Sequence, residues 1–197
     1  MSSKAQKTRQ YIVEKTSVVF NAKGYAGTSL NDLTEATGLT KGSIYGNFEN
    51  KDEVALAVFD HNFGKIVAHL KSKMAKKTSV IGKLQVYPET YKHFLSLPFL
   101  KAGCPLLNTA MEADDTHPQL RKKALDALTL WKNSVEQLIH TGIANKEIKP
   151  QVNAPAFAAV LMALIEGGVM QAKLTGKSTG LQYTMNHLEK TINELKR

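Results

Sequence analysis

Apolar residues along this chain recur three and four positions apart, the period of an α-helix. No stretch alternates with the period of two that a strand needs. Ile12, Val13, Thr16, Val19 and Phe20 predict a first helix over about 8–23, stopped by Gly24. Residues 4–7 before it read as a basic arm, either disordered or touching a phosphate. Two short helices around a tight turn follow over 28–48. Thr28 or Ser29 caps the first, because a short hydroxyl there accepts from an orphan backbone N–H. Leu30 and Leu33 face inward, and Ala36 leaves room for a crossing helix. Gly38 ends this helix, where the backbone needs a positive φ. Thr40 caps the second helix, about 41–48, whose inward residues are Ile44 and Phe48.

Asn50 with Glu53 three positions later opens a long helix reaching about 74, with Tyr25 packed against the preceding helices. A polar break over 76–82 precedes an aromatic-rich helix containing Leu84, Tyr87, Tyr91, Phe94 and Leu95, which Pro88 either kinks or starts. Residues 97–103 read as loop, and Pro105 opens a short helix to about 113. After a turn at 114–118 comes an amphipathic helix ending near Gly142, then a strongly apolar one over about 156–173. Leu181, Met185, Leu188, Ile192 and Leu195 are spaced four, three, four, three, the seam of a heptad. The fold class is therefore all-α with about nine helices: a three-helix domain over 1–50 and a helical domain over 51–197. A second copy covering the last two helices would make a homodimer. Its interface residues would be Leu161, Leu164, Gly168, Leu181, Met185, Leu188 and Ile192.

Composition narrows the partners. A net charge of +9 favours a polyanion. Yet residues 61–80 hold five lysines and no acid, so much of the excess lies beyond the two short helices. That lysine-rich segment is either a solvated face or a backbone-phosphate contact. No unbroken apolar run reaches a membrane span and the first residues lack a signal-like apolar core, so a cytoplasmic location is expected.

The helix over 41–48 is unusual for its two glycines, each costing roughly 1 kcal/mol against Ala. Gly42 and Gly46 lie opposite Ile44 and Phe48, flanked by Lys41, Ser43, Tyr45 and Asn47. A bare face of that kind suits close approach to double-stranded DNA. Gly24-Tyr25, Thr28-Ser29, Ala36-x-Gly38-Leu39, Thr40-Lys41-Gly42-Ser43-Ile44-Tyr45-x-x-Phe48 and Asn50-Lys51-Asp52-Glu53 together resemble the TetR-type transcriptional regulators. The likeness is specific over roughly the first sixty residues and one of layout beyond them. It departs at Gly46-Asn47, where the family more often has a larger residue followed by His. The resemblance implies a dimeric repressor on a pseudo-palindromic operator. Backbone contacts then fall on Thr28, Ser29, Tyr45 and Lys51, and base reading on Thr40, Lys41, Ser43 and Asn47.

The remaining helices would house an unknown small-molecule effector. Candidate walls are Phe63, Tyr87, Tyr91, Phe94, Phe99, Met111, Trp131, Met162, Glu166 and Met170, each of which reads first as plain core. Cys104, at the mouth of a helix, reads either as a thiol sensing electrophiles or as a small buried hydrophobe. A thiol-dependent enzyme or redox-active protein using Cys104 is the alternative, with His93, His117 and His140 as loose candidates for a base. Asp114, Asp115 and His117 are consecutive in a turn and poorly placed to converge on one ion, so neither metal nor cofactor is expected.

Overall fold

The computed structural model describes residues 3–100 and 102–197; Lys101, in the expected loop, lies outside them. Among the described residues the chain is all-helical: α1 (Lys4–Lys23), α2 (Leu30–Thr37), α3 (Lys41–Tyr45), α4 (Lys51–Met74), α5 (Val80–Tyr91), a 3-10 turn (Phe94–Ser96), α6 (Pro105–Ala113), α7 (Pro118–Ala144), α8 (Ala154–Thr175) and α9 (Thr179–Glu194). The β pairing found there is an isolated bridge between Ile148 and Lys196.

Helix ends follow capping chemistry. The basic arm expected at 4–7 is instead the first turn of α1. Ser3 accepts from Gln6 N–H, and the Gln6 side chain accepts from Ser3 N–H, which satisfies two orphan donors reciprocally. Of the two candidate caps for α2, Ser29 is the one used, and Gly38 closes the helix at φ 67°. Asn50 Oδ1 accepts from Glu53 N–H at 2.9 Å, and Glu53 reaches back to Glu49 N–H. Pro88 neither starts nor ends α5; it lies inside, one turn before the helix stops. Pro105 stands in the first turn of α6, where its missing N–H is harmless.

The helices form two compact units, and compactness divides the chain elsewhere than at residue 50. One unit holds the described residues up to Lys65 together with Ala102–Ala127; the other holds those of Ile66–Lys101 and Leu128–Arg197. The first is built on Ile12, Leu33, Ile44 and Val54, all fully buried. Asn62 Nδ2 donates to Ser17 O at 3.0 Å and Asn21 Nδ2 to Gly103 O at 2.9 Å, tying α4 and the entry to α6 onto α1. The Asn21–Gly103 bond is one of the ties that hold the entry to α6 against α1.

In the second unit α9 packs on α8 and α5. A Cβ on Gly168 would lie 2.4 Å from Thr184 Oγ1 and 2.8 Å from Leu181 Cδ1, so glycine permits the close α8–α9 crossing. The heptad seam therefore requires correction. Leu161, Leu181, Met185, Leu188 and Ile192 are wholly inaccessible within one chain, Gly168 is buried, and only Leu164 retains a larger part of its surface. A side chain already covered by its own chain has no surface to give a second copy. Exposed instead are Val160 (51%), Met170 (49%), Leu174 (80%) and Tyr183 (71%) on the same two helices. Among the described residues α8 is also the one helix long and apolar enough to cross a membrane. This corrects the expectation that no apolar run reaches that length: Glu166 and two glycines interrupt α8 without making it polar.

Candidate nucleic-acid interface

The two short helices meet the turn that sequence places between them. α2 crosses to α3 through Gly38 and Leu39, and Thr37 Oγ1 accepts from Leu39 N–H at 3.2 Å. α3 is shorter than the eight residues expected. It covers Lys41–Tyr45, because Gly46 ends it, but Phe48 N–H still donates to Ile44 O at 3.1 Å. Helical turns thus reach Phe48 although the regular helix does not. Helices of this length are not stable alone, so α3 is held by burial of Ile44 and Phe48.

Thr40, Lys41, Gly42 and Gly46 are exposed; Ser43, Tyr45 and Asn47 are half-buried. A Cβ on Gly42 would meet only Thr40 Oγ1, at 4.0 Å, so the space in front of it is open. Asn47 is more constrained than a free base-reading amide: its Nδ2 donates to Ser43 O at 2.9 Å, and its own carbonyl accepts from Arg9. Arg9 had no signal in the sequence pattern. Its guanidinium lies 4.0 Å over the Phe48 ring and pairs with Glu53 at 2.7 Å, pinning α1 to the end of α3 and the start of α4. Glu49 N–H and then Arg9 hold the Glu53 carboxyl below its ordinary pKa.

The expected backbone contacts divide. Ser29 is exposed, but its N–H and hydroxyl both already turn to Asp32 Oδ2 at 2.7 Å. Thr28 needs correction as a surface contact: it is 1% exposed, and its hydroxyl donates to Gly24 O at 2.6 Å. It staples the turn. Lys51 is placed by Tyr25, its ammonium 4.2 Å over that ring while donating to Thr28 O at 2.8 Å. This uses one of its three donors and sets a cation beside the start of α2. The Tyr25 hydroxyl donates to Asp52, which, with burial second, pushes the phenol up to about 12. Tyr25 is thus packing, as expected, and also a platform for a cation.

The candidate effector residues do not form one group. Tyr87, Tyr91, Phe94 and Trp131 come together in the second unit, with Tyr87–Trp131 and Tyr91–Trp131 centroids 6.2 and 6.3 Å apart. Glu166 and Met170 lie on α8 of that unit. Phe63, Cys104 and Met111 belong to the first unit, where Phe63 stacks on Phe59 and Met111 is exposed. Cys104 is 1% exposed, so it packs as a small hydrophobe, and an attacking thiol would need access it lacks. His117 is buried and caps α7, its Nδ1 accepting from Leu120 N–H, whereas Asp114 and Asp115 are exposed.

Comparison with known proteins agrees with this geometry. Residues 12–58 match the family described as bacterial regulatory proteins, tetR family. Residues 80–188 match the tetracyclin repressor-like C-terminal domain. A TetR-family transcriptional regulator from Cytophaga hutchinsonii superimposes with a TM-score of 0.92 at 43% identity, covering 100% of this chain and 98% of that one. A TetR regulator from Chloroflexus aurantiacus J-10-FL gives 0.93 at 36% identity, covering 98% of both. The HTH-type transcriptional repressor DhaR of Mycobacterium sp. (strain GP1) is 26% identical over 84% of this chain and 82% of its own. With a helix-turn-helix of this geometry and the family's C-terminal domain spanning more than half its length, the chain belongs to the TetR family of DNA-binding transcriptional regulators.

Proposed function

We propose that the protein is a cytoplasmic homodimeric repressor that grips a pseudo-palindromic operator and is released by a small-molecule effector. The observation that carries this reading is the outer side of α3. Thr40, Lys41 and Gly42 are exposed over open space, while Ile44 anchors the helix from behind. Two such heads on a two-fold axis read an inverted repeat. The dimer face lies on α8 and α9 through Val160, Met170, Leu174 and Tyr183, since a helix as apolar as α8 calls for cover on both sides. In functional terms residues 1–50 read DNA, and 51–197 serve effector binding and dimerisation. The aromatic stack of Tyr87, Tyr91, Phe94 and Trp131 favours a flat or apolar effector, and the burial of Cys104 favours it over an electrophile.

The test is selection of bound sequences from a random duplex pool, followed by release with candidate small molecules and thiol reagents. An inverted repeat is the expected product. Tyr45→Ala should weaken binding across all sequences, as a backbone contact does. Selection of a single half-site, or a Tyr45→Ala variant binding like the parent at moderate salt, would count against the docking geometry.

A further inference from the structure

Glu112, on the last turn of α6, reaches back to the bend between α1 and α2. Its Oε2 accepts from Tyr25 N–H and its Oε1 from Ala26 N–H, both at 2.7 Å. These successive amides follow Gly24, whose φ is 71°. A Cβ on Gly24 would sit 2.5 Å from Oε2 and 2.7 Å from Oε1, so the carboxylate approaches as only a glycine allows. The same helix is tied a second time, Asn108 Nδ2 donating to Asn21 O at 2.9 Å. The bend leads directly to the DNA-facing parts. Thr28 hydroxyl donates to Gly24 O, Lys51 is fixed by Thr28 O, and Ser29 caps α2. His117, just beyond α6, meets the Tyr25 ring edge-on at 4.5 Å.

We propose that Glu112 is a positioning residue for DNA recognition: its carboxylate locks the α1–α2 bend and thereby places the start of α2 and the Lys51 ammonium. The chemistry asks for a carboxylate. It offers two acceptor oxygens, one per amide, whereas Gln offers one and turns a donor toward the other N–H. Ala offers none and leaves the half-buried Tyr25 without its partner.

This inference rests on the DNA-binding reading of the head, and the experiment separates the two. With the full chain, affinity is measured for the duplex the parent selects and for an unrelated duplex of equal length at the same salt. Amide exchange at Tyr25 and Ala26 is followed by NMR. For Glu112→Ala the ratio of specific to unrelated affinity should fall roughly tenfold, the scale of a lost charge-assisted hydrogen bond. Unrelated affinity should fall less, because any duplex can use the Lys51 backbone contact but only the selected duplex also needs the register that contact sets. Exchange at both amides should quicken, and Glu112→Gln should lie between parent and Ala. An unchanged ratio in Glu112→Ala overturns the proposal. Should that variant unfold, an isosteric, folded Glu112→Gln with the parent ratio overturns it equally. A parent that selects no sequence overturns the DNA reading, and this inference with it.

Discussion

Gly42→Ala separates the structural from the functional role of the bare α3 face, because the two push in opposite directions. Gly42 has no positive φ, and an added Cβ would meet nothing nearer than Thr40 Oγ1 at 4.0 Å. Replacing an exposed helical glycine by alanine stabilises by roughly 0.5–1 kcal/mol, through lower unfolded-chain entropy and better helix propensity. Gly42 is in the first turn of a five-residue helix, which favours the lower end. For a chain of this size the thermal midpoint should rise by roughly 1–4 °C. If the face meets a DNA backbone, the same methyl group should weaken specific binding roughly tenfold, the size of one mismatched contact. The assay is paired thermal denaturation and fluorescence anisotropy on the selected duplex. A Gly42→Ala variant that is more stable and binds undiminished refutes a docking role for the face. One that is less stable refutes the local backbone argument itself. Gly46→Ala is the contrast, since its Cβ would lie 3.1 Å from Gly42 O, and no stability gain is expected.

Other outcomes follow from burial and charge. Leu188→Ala empties a fully buried site and should cost about 2–5 kcal/mol in denaturant titration, while Leu174→Glu, at an exposed position, should leave stability near the parent and shift sedimentation toward a monomer. A dimer unmoved by Leu174→Glu would place the interface elsewhere. Burial first, and then Lys65 and Lys73 respectively, hold the His61 and His69 imidazoles below their ordinary pKa of 6.5. The unfolded chain then binds these protons more readily, so their contribution is complete above about pH 6.5 and is lost as pH falls below it. A His61→Gln, His69→Gln double variant should lose less stability between about pH 7 and 5 than the parent, and equal loss would refute the assignment. Cys104 should take no alkylating label in the native protein and label fully in denaturant, by mass spectrometry. Rapid native labelling would restore the sensor reading.

Local chemistry settled much of this protein in advance. Ser29, Gly38 and Thr40 each act within a few residues, so the helix-turn-helix and its caps are legible as written. Helix boundaries were less so where glycines weaken propensity, as at Gly46, or where a cap like Ser3 outweighs composition. Whether a seam faces inward or outward is not local at all. The heptad of α9 is the same whether it meets a second copy or α8 and α5 of its own chain, and only packing shows the latter. Arg9 over Phe48 and Glu112 under Tyr25 are likewise invisible to periodicity, because their partners lie tens of residues away. Sequence by itself determined where most helices lie, several of their caps and the DNA-reading motif, since those depend on neighbours along the chain. The tertiary structure decided which apolar face is left uncovered and which side chains hold the reading head in place. Those depend on groups that meet only once the chain has folded.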